Sequence, residues 1–143
     1  AEKTDGSPDP LLSAAGQARA DALKELLRLE NIDTIFVSGT NRARLTAMPL
    51  ANALGKTCAT YEASLKENHQ LIRQLHTFRG KDKILVVGHS NTIPIVIASL
   101  MRSQQKISIH ENAYDNLFVV KVKRAFGKKR EIEARTYGHP SRQ

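Results

Sequence analysis

The sequence predicts a three-layer α/β sandwich, in which a mostly parallel central sheet has helices on both faces and a C-terminal hairpin lies at one edge. Short apolar, β-branched runs alternate with longer segments whose apolar residues recur at helical spacing. Strands that are apolar on both sides are typical of a parallel sheet covered by two helical layers. At 143 residues the chain has the length of one domain, which we assign to residues 1–143.

The first helix is predicted over residues 13–30. Ser13 is a suitable N-cap after a turn at 9–12, and a hydroxyl at that position can accept a bond from the first helical N–H groups. The apolar residues that recur at helical spacing are Ala15, Ala18, Ala22, Leu26 and Leu29. The run DTIFVS at 33–38 comes next and is predicted to be a buried strand.

The middle of the chain repeats this alternation. A helix over 41–54 contains Pro49, which is expected to kink it, and Gly55 ends it. The elements predicted after it are a strand at 57–61, a helix at 63–78, a strand at 83–88 and a helix at 91–101 with Pro94 in its first turn.

The C-terminal hairpin also carries the densest positive charge. It is predicted to pair residues 117–123 with 130–136 around the turn Ala125, Phe126, Gly127 and Lys128. The formal net charge is +8, and the basic residues cluster at Lys121, Lys123, Arg124, Lys128, Lys129 and Arg130. No zinc-finger, helix-turn-helix or RNP-type pattern surrounds them, so no specific nucleic-acid partner is predicted. A positive field is suited to attracting small anionic substrates.

Other features of the composition exclude further classes of protein. No apolar run is long enough to cross a bilayer, so no membrane span is predicted. Cys58 is the single cysteine and cannot form a disulfide within the chain. His69 and His76 lack the i, i+4 spacing of a helical metal pair, and both are predicted at the surface. The compartment and the oligomeric state stay open.

Two loops are candidates for a ligand site, because ligands of parallel sheets bind beyond the carboxyl ends of the strands. Residues 38–42 and 88–91 each come directly after a predicted strand and begin a predicted helix. Both loops can therefore direct free backbone N–H groups at an anion.

The second loop contains two candidate catalytic residues, His89 and Ser90. A serine hydrolase elbow requires a glycine at the position of Thr92, since a side chain there comes too close to the neighbouring backbone. A triad in the chain order of such hydrolases can be written with Asp115 and His139. Ser90 as a nucleophile is kept as an alternative.

Several motifs, in order, resemble the histidine phosphatase superfamily, in the branch that includes phosphoglycerate mutases and phosphohistidine phosphatases. SGTNRARLTA at 38–47 is similar to its S-x-x-x-R-x-x-x-T-A motif, and VGHSNT at 87–92 is similar to its second histidine motif. AEK at 1–3 is similar to the residues directly after the family's Arg-His pair, and DPLLSAAG at 9–16 to the entry of its first helix. The resemblance covers nearly the whole chain and implies a phosphoglycerate mutase-like fold.

The resemblance implies roles for four residues. Arg42 would bind the phosphoryl oxygens with its planar guanidinium, and His89 would donate a hydrogen bond to the transferring phosphoryl group. Asn91 would add a donor, and Ser90 would lie beside the phosphate. The nucleophile would be the histidine of the Arg-His pair, which would come immediately before Ala1 on a first core strand.

The implied reaction is hydrolysis of a phosphomonoester or phosphohistidine through a covalent phosphohistidine. Many family members use a glutamate in a Leu-x-Glu pattern as general acid; Glu67 matches that pattern, and Glu62 and Asp115 are alternatives. The expected partner is a small phosphorylated metabolite or a phosphoprotein, with a phosphate-like anion in the pocket and no metal or organic cofactor. A phosphate-recognition module without turnover is the alternative from a different class.

Overall fold

The computed structural model describes residues 1–67, 69–124 and 127–141, with the backbone alone for Arg124 and Lys128. Ala125 and Phe126, in the predicted hairpin turn, lie outside the described residues. The elements in chain order are α1 (Ala14–Leu27), β1 (Thr34–Ser38), α2 (Asn41–Leu54), β2 (Cys58–Tyr61), α3 (Gln70–Leu75), β3 (Ile84–Val87), α4 (Ile93–Met101), β4 (Asn116–Arg124) and β5 (Lys128–Thr136).

The parallel sheet has the order β2–β1–β3, with β1 at its centre. Val37 is in register with Thr60 of β2 and with Val87 of β3, so the carboxyl ends of these strands lie at one edge. Helices cover both faces of this sheet, which confirms the predicted α/β fold class. β4 and β5 form the predicted antiparallel hairpin, but as a separate two-stranded sheet.

Alternate residues of β1 build two separate cores, one on each face of the sheet. Ile35 and Val37 pack with Leu23 of α1 and Leu50 of α2, and Ile35 is fully buried. Phe36 points to the other face. The residues that form that second core with it are Tyr61, Leu71, Ile72, Ile95 and Val96. Each buried apolar side chain of β1 contributes about 1.5–3 kcal/mol of burial free energy.

The buried face of α1 differs from the predicted one. The inward-facing residues are Gly16, Arg19, Ala20 and Leu23, whereas Ala15, Ala18 and Leu26 are exposed. The buried set has its own i, i+4, i+7 spacing, and Arg19 belongs to it because its charge is neutralised inside the protein. Ser13 caps the helix as predicted, since its hydroxyl accepts from the Gly16 N–H.

The helix predicted over 63–78 is reduced to α3, so the prediction is wrong over more than half of that length. The Ser64 hydroxyl accepts a bond from the Lys66 N–H, and such a local turn competes with helix formation. Leu65 is 65% exposed, while Leu71 and Ile72 are buried, so only the later residues have a core to pack against. In contrast α2 has the predicted bounds and continues through Pro49.

Gly88, directly after β3, is a position of close approach. A Cβ added there would lie 2.5 Å from the Tyr61 hydroxyl oxygen and 2.8 Å from Cδ1 of Ile93. The Tyr61 hydroxyl donates to the Val87 carbonyl at 3.3 Å, and burial raises the pKa of this phenol to about 12. The glycine therefore allows β2 and the start of α4 to close around the end of β3.

His69 is buried, which corrects the prediction of a surface residue. It precedes α3 and is 8% exposed, and neither ring nitrogen has a hydrogen-bond partner among the described residues. Burial, with a smaller effect from Arg73, lowers the pKa of His69 below its ordinary 6.5. His76 lies at the surface as predicted, with Nε2 at 3.3 Å from the Ser99 hydroxyl.

No helix among the described residues has the length and hydrophobicity that crossing a membrane requires.

We expect the free energy of unfolding to fall as the pH drops below about 6.5, because the unfolded chain then binds a proton that folded His69 resists. The stability that uncharged His69 contributes is fully present above pH 6.5 and is lost on acidification. Urea unfolding at pH values from about 8 down to about 5 measures it, with a His69→Leu variant as comparison. The variant should show a shallower pH slope; parallel slopes would contradict a role for His69.

Candidate active site

The pairing of β1 with β3 brings two loops into contact. Since Val37 is opposite Val87, the next residues, Ser38 and Gly88, also lie side by side, and His89 comes directly after Gly88. On the other loop Thr40 caps α2 by accepting from the Ala43 N–H, and Arg42 lies in the first turn of that helix. Arg42 and His89, both predicted site residues, therefore meet at the carboxyl edge of the sheet.

Both ring nitrogens of His89 are hydrogen-bonded. An Arg42 guanidinium nitrogen lies 3.3 Å from Nδ1, and the Ser38 hydroxyl oxygen lies 2.8 Å from Nε2. Arginine can only donate, so Nδ1 accepts and the ring proton is on Nε2, which donates to Ser38. The Ser38 hydroxyl lies 3.2 Å from that of Thr40, which continues the chain of hydrogen bonds.

This arrangement keeps His89 uncharged. Burial lowers its pKa below the ordinary 6.5, and the nearby Arg42 charge lowers it further. A neutral ring with Nε2–H is a hydrogen-bond donor that does not repel the arginine beside it. When an anion binds between the two, its negative charge opposes the effect of Arg42, and His89 can accept a proton more easily.

Ser38 belongs to the first motif, but no task in the site is predicted for it from sequence. It is 1% exposed at the end of β1 and is the acceptor that fixes the His89 ring.

The motif's threonine and alanine also have a structural explanation. The Thr46 hydroxyl donates to the Arg42 carbonyl at 2.7 Å, and Ala47 is fully buried in the core.

Arg42, His89, Ser90 and Asn91 line one cleft, which Ala1 also lines. At the start of α4 the backbone N–H groups of Ser90 and Asn91 form no backbone hydrogen bond among the described residues. At the start of α2 the prediction of free donors is wrong in part, because the Asn41 N–H donates to Asp9 at 2.8 Å. Among the described residues the available backbone donors are therefore those of Ser90 and Asn91 on one side of the cleft and that of Arg42 on the other.

The three candidate general acids differ in their surroundings. The Glu67 side chain is 73% exposed and pairs with Lys106 at 3.2 Å, and Glu67 is not among the residues that line the cleft. Glu62 is exposed. Burial acts to raise the pKa of Asp115, but hydrogen bonds from Ser141 outweigh it and lower the pKa, which favours the ionised form. Among the described residues no hydrogen bond or ion pair links any of the three to Arg42 or His89, and Glu62 directly follows β2 at the carboxyl edge of the sheet.

The serine hydrolase triad is not assembled among the described residues. The Asp115 carboxylate accepts from the Ser141 N–H at 3.1 Å. The backbone carbonyl of His139 accepts from Arg19, and no hydrogen bond links Ser90 to His139 in the described part of the chain. Within residues 1–67, 69–124 and 127–141, no group of three or more metal-ligating side chains is close enough to hold a metal ion.

A buried arginine that sequence pattern alone does not reveal fixes the segment around Ala1 beside the site. Arg19 forms a two-pronged ion pair with Glu2, with Nη2 at 2.6 Å and Nε at 2.8 Å from its oxygens. It also donates to the Tyr137 and His139 carbonyls, at 2.8 Å each. Gly16 makes room for this, since a Cβ there would overlap the Glu2 carbonyl oxygen. Ala1, next to Glu2, is thereby held in the cleft.

The protonation of the His89 ring can be measured directly. Nitrogen-15 NMR of the histidine side chains should show His89 as the neutral Nε2–H form near neutral pH. A Ser38→Ala variant removes the acceptor of that proton and should lower the free energy of unfolding by about 1–3 kcal/mol. Ser103→Ala, which removes an exposed hydroxyl, is the control and should change little. A protonated Nδ1 in the unmodified protein would refute the assignment.

The Arg19 ion pair is expected to stabilise the fold strongly. Arg19→Met should lower the free energy of unfolding by about 3 kcal/mol, because it leaves Glu2 and two carbonyls without their donor. Arg28→Met at the exposed end of α1 is the matched control, whose pair with Glu25 is worth about 0–1 kcal/mol. Chemical denaturation measures both. Equal effects would show that the Arg19 contacts are not stabilising.

The comparisons with known proteins agree with this geometry. A search of curated protein sequences finds no significant match. Among solved structures, a mycobacterial glucosyl-3-phosphoglycerate phosphatase, Rv2419c, is similar with a TM-score of 0.55 and 16% identity over 70% of this chain and 72% of that one. SixA of Agrobacterium tumefaciens, by its name a putative phosphohistidine phosphatase, has a TM-score of 0.54 and 21% identity. The match covers 71% of this chain and 69% of that one. Mycobacterial hydrolase 1 has a TM-score of 0.63 and 13% identity, and the match covers 96% of this chain and 91% of that one.

At these identities the solved structures establish a shared fold. The family evidence is in the sequence of the first half, because the family profile described as "Histidine phosphatase superfamily (branch 1)" matches residues 1–71. This region contains Arg42 and its motif, and the fold brings His89 of the second motif against it. The chain therefore resembles branch 1 of the histidine phosphatase superfamily, whose family profile matches its first 71 residues.

Proposed function

We propose that this phosphatase hydrolyses its substrate through a covalent phosphohistidine, formed on a histidine that immediately precedes Ala1. The observation that carries the proposal is the contact of Arg42 with His89 in a cleft that Ala1 also lines. A residue joined to the Ala1 nitrogen lies at the same cleft, because the Glu2–Arg19 ion pair fixes this segment. The three groups that in-line phosphoryl transfer needs are then close together.

The chemistry depends on the character of each group. A ring nitrogen of the preceding histidine attacks phosphorus while the bond from phosphorus to the leaving atom breaks. That atom is the ester oxygen of a phosphomonoester or a ring nitrogen of a phosphohistidine, and it takes a proton from water. Arg42 binds the phosphoryl oxygens, and His89, which takes a proton on Nδ1 when the anion is bound, donates a hydrogen bond from that nitrogen where negative charge develops. Water then attacks phosphorus, the phosphorus–nitrogen bond breaks, and phosphate and the free histidine are released.

The substrate class that we propose is a small phosphomonoester or a phosphohistidine on a protein. The names of two similar structures, a glucosyl-3-phosphoglycerate phosphatase and a phosphohistidine phosphatase, represent these two classes. Ser90 and Asn91 line the cleft and have backbone donors that no other backbone group occupies among the described residues, which suits a bound anion. The net charge of +8 favours the approach of phosphate dianions.

The test compares Arg42→Lys with Arg44→Lys, two arginines of the same helix. In the protein that includes the preceding histidine, Arg42→Lys should lower kcat/KM for 4-nitrophenyl phosphate by about 100-fold, because a lysine cannot reproduce the two-pronged guanidinium contact. Arg44 is exposed and bonds the Asn41 side chain, so its change should have little effect. Binding of inorganic phosphate is measured by calorimetry on the same samples. Phosphate binding without turnover in the unmodified protein would indicate the recognition module instead.

The covalent intermediate has its own signature. Rapid acid-free quenching with phosphorus-32 substrate should leave a label that is stable in alkali and lost in acid, as a phosphorus–nitrogen bond requires. His89→Asn should reduce the rate of labelling, and Ser90→Ala should leave it nearly unchanged. An acid-stable label that disappears in Ser90→Ala would assign the nucleophile to the serine.

A further inference from the structure

The loop between α4 and β4 brings a tyrosine to the edge of the site. A Cβ on Gly80, shortly before β3, would lie 3.4 Å from the Val122 carbonyl oxygen, so the end of β4 approaches the start of β3. The other end of β4 therefore lies toward the carboxyl edge of the parallel sheet. Tyr114, two residues before β4, lines the cleft that Arg42 and His89 also line.

Hydrogen bonds join this loop to the Arg19 ion pair. The Tyr137 N–H donates to the Asp115 carbonyl at 3.0 Å. Arg19 donates to the Tyr137 carbonyl at 2.8 Å and pairs with Glu2. Because Glu2 lies in the segment that is fixed beside the site, Tyr114, which precedes Asp115, is held beside the site as well.

The backbone of Tyr114 is fixed, whereas its hydroxyl is available to a ligand. The Tyr114 N–H donates to the Ser141 hydroxyl at 2.8 Å, and the Ser141 N–H donates to the Asp115 carboxylate at 3.1 Å. The Asn116 side chain donates to the Ala113 carbonyl at 3.1 Å. The Tyr114 hydroxyl, by contrast, forms no hydrogen bond among the residues that the structure describes. A half-buried tyrosine hydroxyl generally takes a partner, and a ligand in the cleft can supply it.

The charges around Tyr114 place its hydroxyl at the boundary of the anion-binding part of the cleft. Burial raises the pKa of Tyr114 above its ordinary 10, and the charges of Glu111 and Glu2 raise it further. Arg42 acts in the opposite direction, so the hydroxyl is within reach of the charge that is expected to bind phosphate. Both carboxylates are paired with a cation, Glu111 with Lys3 at 3.9 Å and Glu2 with the buried arginine. This side of the cleft therefore suits an uncharged polar group better than a second anion.

We propose that Tyr114 is a specificity-determining residue, whose hydroxyl bonds an uncharged polar group on the part of the substrate that carries the phosphate. A phenol hydroxyl both donates and accepts, so a substrate hydroxyl near the ester bond is a suitable partner. The inference rests on the proposed function for the position of the phosphate at Arg42. It narrows the substrate class to esters whose leaving group has such a group beside the phosphate.

Two matched phosphonates test this contact without depending on turnover. The 3,4-dihydroxybutyl and butyl phosphonates have the same length and charge, differ only by their hydroxyls, and contain a phosphorus–carbon bond in place of the ester bond. In the protein that includes the preceding histidine, calorimetry should show about tenfold tighter binding of the dihydroxy compound, because it gains a hydrogen bond. Tyr114→Phe keeps the ring and removes the hydroxyl, so it should abolish this preference and leave butylphosphonate binding within about twofold.

Asn112→Ala is the matched control in the same loop. Asn112 is exposed and does not line the cleft, so its change should alter the affinity for neither phosphonate. Urea unfolding of both variants checks that the fold is kept. Since Tyr114→Phe removes a hydroxyl without a described partner, its unfolding midpoint should stay close to that of the unmodified protein.

The outcomes for Tyr114 and for the proposed hydrolysis are distinct. A preference that persists in Tyr114→Phe, or that is absent from the unmodified protein, would overturn the assignment. An equal loss of affinity for both phosphonates would also overturn it, because the hydroxyl would then contact the phosphonate group itself. Hydrolysis of glycerol 1-phosphate and propyl phosphate is measured on the same proteins. The expected binding preference without phosphate release from either ester would support the Tyr114 contact and overturn the proposed hydrolysis.

Discussion

The site depends on the parallel pairing of β1 with β3. Because Val37 lies opposite Val87, the residues after the two strands emerge at the same level, and the Ser38 hydroxyl meets the His89 ring. A shift of the register by one residue would turn every side chain of β3 to the other face. The two buried cores hold this register, since alternate residues of β1 are apolar and each face has its own helices.

Electrostatics then determines what the site can bind. Arg42 is charged and His89 is neutral, so the pair has a net positive charge without internal repulsion, and both direct N–H groups toward neighbouring acceptors. The free backbone donors at Ser90 and Asn91 add to this preference for an anion. By contrast the Asp9 carboxylate accepts from the first N–H of α2, so that donor is not free for an anion.

Local pattern was enough to predict part of the fold and of the site. The alternation of strands and helices and the bounds of α2 depend on periodicity, and the proximity of Arg42 to His89 depends on motif order. Features that depend on distant contacts could not be predicted in this way. Arg19 looks like a surface residue because its partners, Glu2 and two carbonyls of the C-terminal segment, are far away in sequence. His69 likewise looks exposed in sequence, because its burial is a result of tertiary packing.

The Arg19 contacts also constrain the order in which the molecule can assemble. Arg19 bonds carbonyls that are 118 and 120 residues further along the chain. Contacts of such separation form late, because a long loop must close before they contribute. During synthesis from the amino end, α1 and the parallel sheet can fold before Tyr137 and His139 are made, but Arg19 cannot complete its bonds until then. A nascent chain therefore has the loops of Arg42 and His89 in place before the segment around Ala1 is fully anchored beside them.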